Sequence, residues 1–95
     1  MKTEADLFRY FKQICKRMGV GIYKVHAESA TGFPDLFLCY GGRIILVELK
    51  SPAKTGRLSE RQQVIHRRLR EKGVKIYVSD SQDSAVDIIG ILTDK

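Results

Sequence analysis

At 95 residues and 43% hydrophobic content, the chain has room for one buried core and not for two, so a single domain over residues 1–95 is expected. No apolar run approaches the roughly eighteen residues that span a bilayer, and the first residues enter an amphipathic pattern rather than a signal-peptide core, which points to a soluble protein of the cytoplasm. The net charge of +6 and a pI near 9.6 favour a polyanionic partner, most commonly nucleic acid, over a membrane or a small-molecule substrate.

Thr3 followed by Asp6 is a capping-box pair. Beyond it Leu7, Phe8, Phe11, Ile14, Cys15 and Met18 recur at helical spacing, until Gly19 and Gly21 end the helix. A short strand is expected over 22–25, and the small, polar residues 27–34 read as a loop. Asp35 to Tyr40 and Arg43 to Lys50 are strong strands joined by Gly41-Gly42, a hairpin signal because both positions accept positive φ. Ser51 to Arg57 is a basic loop. Ser59, with Gln62 three residues later, is a second capping box. Gln62, Ile65, His66 and Leu69 share one face of the helix it opens, and Gly73 stops that helix. A strand over 74–79 follows, then a last helix with Ala85, Val86, Ile88, Ile89 and Leu92 as its stripe. Cys15 and Cys39 each sit in an apolar stripe, where a reduced thiol acts as a small hydrophobe, and no Cys/His spacing suits zinc.

The hairpin places the chemistry. Counted outward from the Gly-Gly turn, Arg43 faces Tyr40 and, further along, Glu48 faces Asp35. Directly opposed residues have Cβ atoms roughly 4.5–5.5 Å apart on one face of the sheet. Lys50, two residues past Glu48, points to that same face. Two acids so close repel, and the face they share also carries Phe37, Cys39, Ile44 and Leu46, so something must neutralise them. Two carboxylates with retained water suit Mg²⁺ or Mn²⁺, and a lysine beside such a cation can hold the attacking water or offset developing charge. The plainer account is a cross-strand salt bridge between Lys50 and one acid. The direct opposition of two acids favours the cation.

Gly32-Phe33-Pro34-Asp35-Leu36, followed after the hairpin by Glu48-Leu49-Lys50, resembles the PD-(D/E)XK nuclease signature. The expected α-β-β-β-α-β order with a C-terminal helix is similar to that restriction-endonuclease-like α/β core, a mixed sheet flanked by helices. Glu4 in the first helix, the G-x-P-D-L element and Leu58-Ser59-Glu60-Arg61-Gln62 make the chain most similar to stand-alone virus-type replication-repair nuclease (VRR-NUC) domains. The resemblance implies hydrolysis of DNA phosphodiester bonds by a metal-dependent endonuclease. Asp35, Glu48 and the Leu49 backbone carbonyl would be metal ligands, with Lys50 the catalytic lysine. It also implies branched substrates such as Holliday junctions or flaps, a role in DNA repair, and a homodimer, and it suggests a phage or mobile element as source.

Glu4 and Gln62 have local roles to weigh against the site. Glu4 ends the apolar stripe of the first helix and can reach toward the sheet to assist metal or water, or it can simply complement the helix dipole. Gln62 heads an inward face, but as the third residue of a capping box it can instead bond back to Ser59. Lys54, Arg57 and Arg61 are the expected DNA-backbone contacts because they lie nearest the motif. His26 is either a further phosphate contact or a solvated loop histidine, and His66 reads as partly buried packing. A symmetric dimer would give so small a chain two active sites, through the final helix or the open side of the hairpin. The alternative function is a non-catalytic nucleic-acid-binding module on a nuclease fold, or an RNA-binding adaptor that uses only the basic surface.

Overall fold

The first helix begins where the Thr3 hydroxyl accepts the Asp6 amide and the Asp6 carboxylate accepts the Thr3 amide. In the computed structural model, which describes residues 3–52 and 57–94, this helix is α1 (Glu4–Met18), closed by Gly19 at φ 71°. It leads into β1 (Gly21–Lys24), β2 (Leu36–Tyr40), β3 (Arg43–Leu49), α2 (Glu60–Glu71), β4 (Ile76–Ser79) and α3 (Gln82–Thr93). The α-β-β-β-α-β-α order matches the sequence expectation, with boundaries moved by one or two residues. No helix among the described residues is long and apolar enough to cross a membrane.

The four strands form one mixed sheet in the order β1-β2-β3-β4. The first two pairings are antiparallel and β3 with β4 is parallel, α2 serving as the crossover that a parallel pair requires. Gly41 and Gly42 adopt φ 56° and 80°, so the turn is the two-residue type that sets Tyr40 opposite Arg43 and Leu36 opposite Val47.

Strand alternation divides the sheet into unequal faces. Leu36, Leu38, Ile45, Val47 and Leu49 point into the main core with Leu7, Phe11, Ile14 and Cys15 of α1 and Ala85, Ile88, Ile89 and Leu92 of α3. The opposite face carries Phe37, Cys39, Ile44, Leu46 and Glu48. Toward β4 it is covered: Leu46, Ile76 and Ile65 are buried there, outside the main cluster. Toward β1 it is open, with Tyr23 62% and Ile44 54% exposed. Two helix positions depart from the expected stripes. Met18, the final residue of α1, and Val86, one residue off the line of Ala85, Ile88, Ile89 and Leu92, are about half exposed.

The loop between β1 and β2 is fixed against α2 at Gly32. That residue has φ +92°, and a Cβ there would lie 3.0 Å from the backbone of Arg61 and Gln62. Gly32 thus joins a conformation that disfavours side chains to a close approach of two backbones. Gly32→Ala is expected to cost about 1–3 kcal/mol, lowering the Tm by several degrees in a thermal melt. Gly41→Asn, in open space at φ 56°, should lower it far less.

Candidate active site

The last residue before β2 and the last residues of β3 come together at one end of the hairpin. Asp35 continues the antiparallel register, its carbonyl accepting the Val25 amide at 2.8 Å. Its side chain reaches across to accept the Leu49 amide, with Oδ2 2.8 Å from the nitrogen. Glu48, opposite Asp35 by that register, is only 2% exposed. Alternation buries the Leu49 side chain in the main core while leaving its backbone at the site. In an extended strand the N–H and C=O of one residue point to the same neighbour, so the Leu49 carbonyl is directed to the Asp35 side. The Lys50 amide turns the other way, to the Ser79 carbonyl at 2.9 Å.

Gln62 performs both roles that its sequence position offered. Its Oε1 accepts the Ser59 amide at 3.0 Å, closing the capping box of α2. The same oxygen accepts the Lys50 ammonium at 2.7 Å, and its Nε2 donates to Glu48 Oε2 at 3.1 Å. The cap therefore ties the start of α2 to Glu48 of β3 and to Lys50 just beyond it. Four residues on, one helical turn along the same face, His66 is 1% exposed with Nε2 3.5 Å from Glu48 Oε1. Glu48 Oε1 and both His66 nitrogens have no hydrogen-bond partner among the described residues.

Burial is the largest influence on Glu48. With the adjoining Asp35 carboxyl and its negative charge, it pushes the carboxyl up to about 8 against the pull of Lys50. Glu4 adds a smaller push in the same direction, so its charge is felt at the site although its side chain is exposed at the start of α1. Burial also pulls the His66 imidazole below its ordinary range, followed by repulsion from Arg70 and Lys50.

A buried acid beside a second acid, with one oxygen unpaired, is a donor set for a hard divalent cation. Among the described residues no three His, Cys, Asp or Glu side chains converge on one point. A cation between Asp35 and Glu48 would complete its shell from a backbone carbonyl and water, as Mg²⁺ commonly does.

The structure thus brings Asp35, Glu48, the Leu49 backbone, Lys50 and Gln62 into one constellation. His26, Arg57 and Arg61 are exposed, and Lys54 lies outside the described residues. His66, expected as partly buried packing, is almost fully buried against Glu48. Its spacing of four from Gln62 was the available signal, but a sequence does not reveal what a buried histidine faces.

A family model described as the VRR-NUC domain matches residues 5–83. The chain belongs to the VRR-NUC family. A solved structure described as a VRR_NUC domain is similar over 94% of this chain and 96% of its own, at 27% identity and a TM-score of 0.83. Among curated proteins no sequence matches the chain. The α-β-β-β-α-β-α order is therefore that of the VRR-NUC fold, a nuclease-type domain.

The Glu48 shift gives this VRR-NUC domain a pH signature when metal is withheld. A carboxyl whose folded-state pKa exceeds its ordinary 4.5 contributes stability that is complete below about 4.5 and lost as pH rises through about 8. In EDTA the Tm of the wild type is expected to fall, relative to Glu48→Gln, between pH 5 and 9, because the amide stays neutral throughout. Parallel melts of the two proteins across that range check it.

Proposed function

We propose that this VRR-NUC domain is a divalent-metal-dependent endonuclease that hydrolyses DNA phosphodiester bonds. The observation that carries this reading is the opposition of Asp35 and Glu48 beside Lys50, with Gln62 bonded to both Glu48 and Lys50. A salt bridge would need only one acid. A buried second acid is costly unless a cation or a proton neutralises it.

Asp35, Glu48 and the Leu49 carbonyl would hold Mg²⁺ or Mn²⁺, with Glu4 as a further contributor through water. When bound, the cation polarises a phosphate oxygen and lowers the pKa of a bound water. Lys50, held by Gln62, orients the attacking water and offsets negative charge gathering on the phosphate oxygens. The water gives up a proton to solvent as its oxygen bonds to phosphorus, the bond to the leaving deoxyribose oxygen breaks, and the departing oxygen takes up a proton from solvent. Arg57, Arg61 and His26, all exposed, would contact the phosphate backbone, as would Lys54. The first turn of α2 adds the positive end of its dipole.

Two finer features belong to the same reading. Branched DNA such as junctions or flaps is the proposed substrate, supported by family membership. A homodimer is the proposed assembly, supported by the exposed Tyr23 and Ile44 on the open sheet face and Val86 and Ile91 on α3, since a single small domain cannot grasp two arms of a junction.

Labelled four-way junction, flap, linear duplex and single-stranded DNA, each with Mg²⁺, Mn²⁺ or EDTA, test the proposal. Metal-dependent cutting is expected, with branched forms preferred. Asp35→Ala, Glu48→Ala and Lys50→Ala should each reduce cutting by about a hundredfold or more while DNA binding persists in a mobility-shift assay. Binding without cutting by the folded wild type in either metal would instead identify a non-catalytic DNA-binding module.

A further inference from the structure

His66 is among the most deeply buried side chains of the protein, and its burial is not that of an apolar filler. It is 1% exposed, and neither ring nitrogen has a hydrogen-bond partner among the described residues. Such groups are rare in native cores because an unpaired buried polar atom is costly. Its Nε2 stands 3.5 Å from Glu48 Oε1, the one oxygen of that carboxyl without a partner, while Gln62 holds Oε2. At that separation the two atoms are neighbours rather than hydrogen-bonded. Gln62 and His66 are one turn apart on α2, so a single helix face meets both oxygens of Glu48.

We infer that His66 is a positioning residue for Glu48, donating its Nε2 proton to Oε1 once that carboxylate is ionised and ligating. The inference rests on the metal-dependent reading of the site and deepens it. An ionised carboxylate accepts hydrogen bonds and donates none, so the contact in the loaded site requires the proton on Nε2. With Gln62 on Oε2 and His66 on Oε1, both oxygens of the carboxylate are then held by α2. Groups that orient a ligand in this way typically change metal affinity by about 10–100-fold when removed. Without metal the same histidine is a buried polar group with neither ring nitrogen hydrogen-bonded among the described residues, so replacing it by an apolar side chain of similar size costs little stability.

That division separates a positioning role from a packing role. Mn²⁺ titrated calorimetrically into catalysis-independent, DNA-free protein gives the affinity, and melts in EDTA give the stability. His66→Leu is expected to weaken Mn²⁺ binding by about 10–100-fold with little loss of Tm in EDTA. His66→Gln, whose amide nitrogen can stand where Nε2 stood, should recover a substantial part of the affinity. A packing role predicts the reverse, a lowered Tm with unchanged Mn²⁺ affinity, and that result overturns the inference. Failure of the wild type to bind Mn²⁺ at all would overturn the metal-dependent reading itself. Should His66→Leu not fold, ¹⁵N chemical shifts of the imidazole in the Mg²⁺-loaded wild type decide the matter. A proton on Nε2 is expected, and an Nε2 without one contradicts the proposal.

Discussion

Two carboxyl groups held together at a partly buried position must share a proton or a cation, and the arrangement around Asp35 and Glu48 follows from that constraint. Neither acid can turn away. The Asp35 carboxylate accepts the Leu49 amide across the hairpin, and Glu48 lies in a strand bonded on both sides, with α2 above it. Burial and the neighbouring acid raise Glu48 to about 8, which favours its neutral form when no cation is present. In the proposed reading a divalent cation takes the place of that proton, held by the Asp35 and Glu48 oxygens that the fold brings together.

The uneven covering of the sheet makes the site usable. One face is consumed by α1 and α3 and contains the main hydrophobic core. The other is covered only where α2 lies over β3 and β4, so Glu48 is shielded while the ground toward Asp35 and β1 stays accessible. The same helix that shields Glu48 starts with the capping box whose glutamine reaches Lys50. Helix initiation and site geometry are thus one set of hydrogen bonds. Gly32 completes the clamp, allowing the loop before Asp35 to approach the backbone of Arg61 and Gln62. A change that loosened this loop would disturb the acid and the glutamine together.

Much of this was legible in the sequence because it rests on local rules. The Gly41-Gly42 turn fixes a register, and the register alone puts Asp35 opposite Glu48, as the observed pairing of Leu36 with Val47 requires. Both capping boxes were readable from spacing and are present. What escaped depends on tertiary contact. Gln62 offered two roles, and only the packing of α2 on β3 shows that it fills both. His66 resembled any inward residue of an amphipathic helix, since periodicity tells which way a side chain points and not what it meets. Met18 and Val86 counted toward apolar stripes that the neighbouring elements do not reach. Glu4 lies where expected at the start of α1, yet its exposed side chain acts on Glu48 only through its field.

The central claim is that the fold prepares a cation site between the two opposed carboxyls. Diffraction from crystals soaked in Mn²⁺, recorded where manganese scatters anomalously, tests it most directly. The account predicts an anomalous peak within coordination distance, roughly 2.0–2.4 Å, of oxygens from both Asp35 and Glu48, with little movement of α2. A peak elsewhere, or an empty site with Asp35 and Glu48 still in contact, would contradict it.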